Sequence, residues 1–422
     1  MINLYINIFK EEKNKIDLIL LLLIALLPLS LLLPSAILNF IVILACFIFV
    51  IKIVKKKKYY LFNDSFFFIL TLFWCSLIIN LFFSINLNES YPRALGFLRF
   101  IILTFAIKYY LNFKENKYQE FIYKNWFWIF IIVTFDLMFE YIFGFNTLGF
   151  RSPWHERLSG FLNQELKIGN YFFLFSFFAL SYLFYDLKNT KLKIFLFLLI
   201  FLIFLLISFV IGERSNFIRM LFISFFFLIL LDGRNIYKKI YLIFFSLTLI
   251  TLIIFYVPKF KVRYWDQIFE PIRSNGIFTY IENTHYGAHF DTAISIFKQK
   301  PMFGVGLKNF RNESSKEMYK NELPFNSQRW STHPHQIHLE FLSESGIFGY
   351  TIFLIFVVYS LVTSIKTYLG KKNLYHLSSI LFFIASTLPL IPSGSFFTSY
   401  SATIFWINYG VMISYKRDIK NS

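Results

Sequence analysis

The chain has 422 residues, of which 57% are hydrophobic and only 16% are charged. Soluble globular proteins carry about 25% charged residues, so this composition excludes an ordinary soluble domain and predicts a membrane protein. The formal net charge of +18 then reflects the orientation of the chain and its attraction to anionic membrane lipid, and we expect no nucleic-acid binding.

Apolar runs of about 18 to 20 residues recur along the chain, which is the length a helix needs to cross the hydrocarbon core. The first run follows three lysines, as in a signal peptide, but no convincing cleavage site precedes the second run, so we interpret it as a retained helix. The predicted spans are 16–33, 36–54, 65–83, 94–111, 124–143, 168–185, 193–211, 216–231, 240–257, 346–365, 374–391 and 399–415. We therefore predict an all-α polytopic membrane protein with about twelve transmembrane helices.

A single large polar segment, residues 258–345, separates the ninth and tenth predicted spans. We expect it to be partly helical, with a helix at 285–299, and to belong to one membrane domain over 1–422. A second helix is predicted to begin at Pro334, since proline suits a first turn, so that His335 and His338 share one face. That helix would lead into the tenth span at Gly346.

The distribution of lysine and arginine predicts the orientation, because short basic loops are rarely translocated. Basic residues concentrate in the alternate connections that would face the cytoplasm if the N-terminus does. The short outer connections hold only Arg93, Arg151, Arg157, Lys167 and Arg214. Both termini are therefore predicted to be cytoplasmic, with residues 258–345 on the other side of the membrane.

Arginines at the outer face are exceptions to this charge distribution, so their presence there needs another explanation. Arg214 and Arg219 lie in the GERSNFIR sequence between spans seven and eight. An isolated interfacial arginine commonly snorkels to lipid phosphate or pairs with a neighbouring carboxylate such as Glu213. The alternative is an anion site, because guanidinium groups bind phosphate through two hydrogen bonds. Further outer arginines favour a shared anion such as a pyrophosphate: Arg93, Arg99, Arg151 and Arg157.

His335 is the best candidate for proton transfer, because imidazole titrates near neutral pH and can accept a hydroxyl proton. His333 and His338 are close in sequence, so a metal site is an alternative. No acidic or cysteine residues cluster with them in the pattern of a zinc site, and we expect no metal and no cofactor. The structural alternative is that each imidazole only bonds a backbone group.

Asp136 and Glu140 lie one helical turn apart in the fifth predicted span, a spacing that would suit a proton relay in a transporter. Transporters commonly show repeated halves, and this sequence shows none. Cys46 and Cys75 both fall inside predicted spans, which argues against a disulfide framework.

Two motifs resemble the signature of a known family. PMFGVGLKNFR at 301–311 and THPHQIHLEFLSESGIFGY at 332–350 resemble the O-antigen ligase and polymerase superfamily of lipid-linked glycan transferases. GERSNF and the RLSGFLNQ sequence at 157–164 look like family elements as well. The ligase subgroup is similar at His335, Gln336 and Gly346 to Gly349, but Tyr350 stands where that subgroup has threonine.

The resemblance implies a metal-independent, inverting glycosyltransferase at the periplasmic face of the bacterial inner membrane. It would move a glycan from undecaprenyl pyrophosphate to an acceptor hydroxyl. His335 would deprotonate or orient that hydroxyl, and Arg214 would hold the pyrophosphate. A second arginine from the large loop is expected, with Arg311 favoured and Arg263 and Arg273 left open. The other predicted substrate-binding residues are Arg219, Arg157, Arg93, Arg99, Gln336 and His338.

The functions that the resemblance allows differ in the acceptor of the glycan. Lipid A core would make the protein an O-antigen ligase of lipopolysaccharide biosynthesis, which the subgroup motif favours. The sugar of a growing chain would make it a polysaccharide polymerase, and a protein hydroxyl an O-oligosaccharyltransferase. A transporter or flippase of lipid-linked sugars is the alternative from another class.

Overall fold

The structure, a computed structural model, describes residue 8 and residues 14–113, 116–185, 191–230, 236–389 and 391–416. Helix is the only regular secondary structure in these ranges, so the predicted all-α class is confirmed. The longer helices are α1 (Lys15–Ala25), α2 (Ser35–Lys55), α3 (Ser65–Leu81), α4 (Leu87–Gly96), α5 (Leu98–Lys108), α6 (Asn116–Phe143), α7 (Ile168–Tyr185), α8 (Lys191–Ile211), α9 (Arg214–Leu230), α10 (Ile236–Tyr256), α11 (His285–Gln299), α12 (Ile337–Gly370), α13 (Leu374–Ser386) and α14 (Ser399–Ser414).

Within the described ranges, 6 helices are long and apolar enough to cross a membrane: Ser35–Lys55, Leu87–Asn112, Asn116–Phe143, Ile168–Tyr185, Lys239–Tyr256 and Ile337–Gly370. Three shorter apolar helices are Ser65–Leu81, Phe195–Ile211 and Leu374–Ser386. The protein is therefore membrane-spanning, while the count of twelve stays a prediction. The predicted first span, for example, is α1 followed by a separate short helix that has Pro28 in its first turn. The two chain ends, predicted to be cytoplasmic, lie outside the described residues.

Aromatic side chains fill much of the core between helices. The ring of Phe73 on α3 stacks on Phe356 of α12 with centroids 5.4 Å apart, and Phe97 meets Trp406 of α14 edge-on at 5.2 Å. Offset and edge-on pairs of this kind are the favoured aromatic geometries. Helices α5 and α14 approach closely at Gly410, where an added Cβ would lie 3.0 Å from Ile107. This packing fixes α3, α5, α12 and α14 relative to each other.

Two buried ion pairs lie at one end of the bundle. Asp17 on α1 pairs with Lys52 at 2.7 Å, and Asp64, the cap of α3, pairs with Lys108 at the end of α5. Removing one partner of a buried pair leaves an uncompensated charge, which costs about 3 to 5 kcal/mol. The opposite end of α3 contacts the long polar connection described next.

Residues 258–336 connect α10 to α12 and contain α11, which is the helix predicted at 285–299. Shorter helical pieces accompany it: Pro258–Phe260, Lys261–Phe269, Glu270–Asn275, Ile277–Glu282, Phe310–Glu313, Glu317–Tyr319 and Asn326–Gln328. The connection has a small apolar core of its own, formed by Ala293, Ile296, Val305, Phe310 and Tyr319. It is thus a folded layer on one end of the helical bundle.

The prediction that His335 shares a helix face with His338 is wrong. Helix α12 begins at Ile337, and Gln336 is its cap, with a side chain that accepts a hydrogen bond from the Leu339 amide. His335 has a φ of 56°, in the left-handed region that helices exclude. Pro334 therefore precedes the helix and does not lie in its first turn.

Candidate active site

The PMFGVG segment at 301–306 is clamped onto the start of α12 by backbone hydrogen bonds. The Val305 amide donates to the Ser343 carbonyl at 3.0 Å, and the Ile347 amide donates to the Pro301 carbonyl at 2.8 Å. The Asn80 side chain, at the end of α3, donates to the Phe303 carbonyl at 2.6 Å. The motif thus joins the polar connection to α3 and α12 at one point.

Glycine is required at two positions of this clamp. Gly346 interrupts α12 with a φ of 64°, and a Cβ there would lie 2.4 Å from the Met302 carbonyl carbon. Gly304 has a φ of 65°, and its Cβ would lie 2.5 Å from the Glu344 carbonyl carbon. Only glycine adopts such a backbone conformation without strain and allows such close backbone approach. The glycines therefore set the position of the segment that follows, which carries the histidines.

His335 lies immediately before α12, and its backbone is held by a hydrogen bond from the Ser393 amide to its carbonyl at 2.7 Å. Its Nε2 lies 3.2 Å from the Ser331 hydroxyl, and its ring centroid lies 4.1 Å from that of His333. Burial, together with the neighbouring histidines, lowers the pKa of His335 to about 3. The imidazole is therefore neutral at physiological pH and able to accept a proton.

His289 on α11 is a neighbour of His335 that sequence reasoning missed. The two rings stack with centroids 5.1 Å apart and planes 20° apart. The Nε2 of His289 contacts the Gln328 carbonyl at 2.9 Å and must carry the proton there, because a carbonyl only accepts. Burial also lowers the pKa of His289. The spacing of His285 and His289, one turn apart on a predicted helix, was the signal available in the sequence.

His338 and Gln336 use their polar atoms within the protein. His338 Nε2 lies 2.8 Å from the Thr387 carbonyl, and its Nδ1 lies 3.1 Å from the Tyr350 hydroxyl. The first contact assigns the proton to Nε2, so that Nδ1 accepts from Tyr350. Gln336 caps α12. These contacts account for both residues structurally, and their substrate contacts stay predictions.

Arg214 is the first residue of α9 and is partly exposed. Its Nη1 donates weakly to the Gln267 side chain at 3.2 Å and to the Arg263 carbonyl at 3.4 Å. Arg263 itself is buried and donates to the Gly212 carbonyl at 2.6 Å and to Glu156 at 2.9 Å. Arg263 therefore fastens the polar connection to the turn before α9, and Arg214 keeps most of its donors available.

The other arginines near this turn bind the protein itself. Arg157 donates to the Leu166 carbonyl at 2.6 Å, and its Nη2 lies 3.9 Å from Glu213. Arg219 is buried and donates to the Pro392 carbonyl at 3.0 Å. Their predicted substrate contacts stay predictions, and both residues have a structural role that the sequence did not indicate.

Arg93 and Arg311 line a small cavity of about 30 Å³ between α4, α12 and the residues after the PMFGVG segment. Arg93 Nη1 donates to the Phe397 carbonyl at 2.9 Å. The cavity is lined by Arg93, Lys308, Arg311, Thr332, His333, Glu340, Glu344, Ser395, Phe397 and Thr398. Arg99 is not part of this lining, and its guanidinium lies over the Phe100 ring at 4.7 Å.

The connection between α13 and α14 is a second feature that sequence reasoning missed. The Phe396 amide donates to Glu340 at 2.8 Å, and the Ser395 hydroxyl donates to the same carboxylate. The same connection also holds the carbonyls of residues 391, 392 and 397 that accept from Arg219 and Arg93. The serine, glycine and proline residues at 392–395 indicated only a turn. This short connection therefore supports the histidine segment from behind.

Helix α11 lies close to both predicted catalytic residues, Arg214 and His335. Burial lowers the pKa of His285 at its start, and the charge of Arg214 lowers it further. The His285 ring lies 5.9 Å from the His289 ring, which in turn stacks on His335. Arg214 and His335 therefore lie at the same end of the bundle, both near the start of α11.

Asp136 and Glu140 do not join this group. Asp136 accepts a hydrogen bond from the Thr147 amide at 2.8 Å, and Glu140 accepts from the Gly160 amide at 2.6 Å. Both carboxylates organise the connection between α6 and α7. These hydrogen bonds explain both carboxylates structurally, without a proton relay of a transporter.

Residues 196–354 match a protein-family model described as O-antigen ligase. The matched range contains Arg214, Arg311 and His335. A comparison with curated proteins found no match. The family match agrees with the resemblance of the motifs at 301–311 and 332–350, and supports a glycan-handling function of the O-antigen ligase type for this membrane-spanning chain. The match over residues 196–354 thus supports the O-antigen ligase superfamily.

Proposed function

We propose that the protein transfers a glycan from undecaprenyl pyrophosphate to a hydroxyl of lipid A core at the periplasmic face of the inner membrane. The observation that supports this best is that the partly buried imidazole of His335 and the partly exposed guanidinium of Arg214 lie at the same end of the bundle, both near His285. A proton acceptor and an anion-binding group are the two components that displacement of a pyrophosphate requires.

The reaction is a single displacement at the anomeric carbon. The acceptor oxygen forms a bond to that carbon while the bond to the pyrophosphate oxygen breaks, which inverts the configuration. The hydroxyl proton passes to a ring nitrogen of His335, and the bonding electrons leave with undecaprenyl pyrophosphate. An imidazole with a pKa of about 3 is a weak base, so it accepts the proton only as the new bond makes the hydroxyl acidic.

Arg214 binds the pyrophosphate and stabilises the charge that develops on it. Pyrophosphate is already a good leaving group, and guanidinium groups can neutralise it, so the proposed chemistry needs no metal. Among the loop arginines, Arg263 already engages the Gly212 carbonyl and Glu156, whereas Arg273 is exposed. Positioning and electrostatics then supply the catalysis.

Polymerisation of a polysaccharide is the second candidate, and Tyr350 is the observation that favours it. The ligase subgroup has threonine at this position, whereas here the Tyr350 hydroxyl contacts His338 at 3.1 Å. The two functions share the donor and the displacement step. They differ in the acceptor.

A deletion strain analysed by lipopolysaccharide electrophoresis distinguishes these functions. Loss of every capped species indicates a ligase, and retention of single-repeat capping indicates a polymerase. Complementation with His335→Ala or Arg214→Ala should fail, whereas Lys320→Ala, which removes an exposed cation from the same connection, should restore the wild-type pattern. The mechanism is wrong if both alanine variants insert normally and restore capping fully.

A further inference from the structure

The cavity lined by Arg93 and Arg311 has the features of an anion site. Arg93 comes from α4 and Arg311 from the short helix Phe310–Glu313, so two separate elements direct guanidinium groups towards one small space. Its volume of about 30 Å³ leaves room for roughly one or two water molecules. Such a space suits a single ionic substituent and is too small for a sugar ring.

Neither guanidinium is neutralised by a direct ion pair with a carboxylate among the described residues. Arg93 makes one hydrogen bond, to the Phe397 carbonyl. The Nε of Arg311 is buried and has no hydrogen-bond partner in the described part of the chain. Unpaired buried donors cost free energy, and a bound anion would satisfy them through two-pronged hydrogen bonds.

The two carboxylates in the cavity wall are held by other donors. Glu340 accepts from the Ser395 hydroxyl and the Phe396 amide. Glu344 accepts from the Lys308 amide at 2.7 Å and the Phe310 amide at 3.2 Å. These bonds fasten α12 to its neighbouring connections. The carboxylates therefore define the wall of the cavity; they attract Arg93 and Arg311 electrostatically but form no direct ion pair with them among the described residues.

His333 adds a third polar group to the cavity. Its Nδ1 lies 2.9 Å from the Thr332 hydroxyl, and its Nε2 is buried without a hydrogen-bond partner in the described part of the chain. Burial lowers the pKa of His333 to about 4; a backbone hydrogen bond with Ser393 opposes this shift, and His289 and Arg311 add to it. The ring is thus neutral.

We propose that this cavity is a subsite for a phosphate or carboxylate substituent carried by the acceptor glycan. The proposal rests on the proposed glycan transfer and specifies the chemistry of the acceptor. It also gives Arg311 a role other than the pyrophosphate contact expected from the sequence.

The acceptor is the better source of the anion because of where the cavity lies relative to His335. His333 lines the cavity, whereas the ring of His335 faces α11 through His289 and Tyr286. The charge of Arg214 lowers the pKa of His285 on α11, so Arg214 lies near this helix as well. In an inverting displacement the acceptor and the leaving group occupy opposite sides of the anomeric carbon. An anion site on the His333 side therefore suits the acceptor.

Binding can be tested on the purified full-length protein in detergent, with glucose 6-phosphate and glucuronate as anionic probes and glucose as the neutral probe. The anionic sugars should raise the melting temperature of the wild type and of Lys320→Gln, and should not raise that of Arg311→Gln. Arg311 makes no hydrogen bond among the described residues, so its substitution should leave the fold intact. The proposal is overturned if neither anionic sugar stabilises the wild type, or if both stabilise Arg311→Gln equally well.

Kinetics then separate the acceptor from the donor. The measured quantity is the ratio of kcat/KM for a phosphorylated acceptor to kcat/KM for the same acceptor after phosphatase treatment. Arg311→Gln should reduce this ratio about ten- to a hundredfold, since hydrogen bonds to charged groups contribute about 1.5 to 3 kcal/mol. A rise in the donor KM with no change in the ratio would assign Arg311 to the pyrophosphate and overturn the proposal. Absence of transfer to every acceptor would instead reject the proposed function, and the binding test would still stand.

Discussion

The turn at residues 212–219 and the histidine segment at 331–336 both carry polar groups expected to contact substrate. The two regions differ in how far these groups are already bonded within the protein. At the turn, Arg219 and the neighbouring Arg263 donate to backbone carbonyls, whereas Arg214 keeps most of its donors available. At the histidine segment, the rings of His333 and His335 each contact one neighbouring hydroxyl, of Thr332 and Ser331 respectively. The number of arginines therefore overstates the anion-binding capacity of the turn, because most of them hold the fold together.

The largest effect is expected at the histidine segment. His335→Asn should lower kcat for glycan transfer about 10²- to 10⁴-fold, the usual contribution of general acid–base catalysis. Asparagine tolerates the left-handed backbone of this position, with a φ of 56°, so the melting temperature should change little. An unchanged kcat would mean that His335 only shapes the segment.

Arg214→Gln should lower kcat about 10²- to 10³-fold, because the guanidinium stabilises charge that develops on the leaving group. Glutamine can still contact Gln267, so insertion and thermal stability should be retained. The informative readout is a kcat loss without a matching rise in the acceptor KM. A rise in the acceptor KM alone would place Arg214 on the acceptor side and break the comparison between the two regions.

Arg219→Gln should act on stability. Its guanidinium ties α9 to the carbonyls of residues 391 and 392, and loss of charge-assisted hydrogen bonds of this kind costs about 1 to 3 kcal/mol. We expect a lower melting temperature in detergent and, for the folded fraction, a kcat close to that of the wild type. A large kcat loss at unchanged stability would show that Arg219 contacts substrate after all.

The pH dependence should show the smallest effect. Because the pKa of His335 is lowered to about 3, the imidazole stays neutral and kcat should remain level from pH 8 to about pH 5, whereas an ordinary histidine would be half protonated near pH 6.5. His333, His289 and His285 face it and oppose its protonation. His289→Glu should raise the pKa of His335, since a carboxylate favours imidazolium, and so reduce kcat several-fold at pH 5. His289→Gln is the control without the added charge, and an identical profile for both variants would rule out this electrostatic coupling.

Local sequence patterns predicted those parts of the structure that local chemistry determines. The apolar runs anticipated the helices, and the sequence placed the start of the tenth span at Gly346, where the structure has a glycine in a left-handed conformation. The family motif pointed to the His335 region in the same way. The prediction that His335 lies in a helix was wrong, because Gln336 is the cap of α12 and the helix begins at Ile337.

Long-range partners could not be predicted from the sequence. His289 lies 46 positions before His335, and Ser393 lies 58 positions after it, and no local pattern relates either residue to the histidine. The same applies to Arg219, whose carbonyl partners lie 172 and 173 positions away. An arginine in a sequence shows a charge but not whether its donors are already engaged. That distinction separates Arg214 from its neighbours.

The most direct test of the account is reconstitution of the purified protein in lipid vesicles with undecaprenyl-pyrophosphate-linked glycan and lipid A core. Glycosylated core and free undecaprenyl pyrophosphate should form in a one-to-one ratio in the wild type, and formation of both should fall together in His335→Asn. Movement of intact lipid-linked glycan across the bilayer, without release of undecaprenyl pyrophosphate, would contradict the assignment of a transferase.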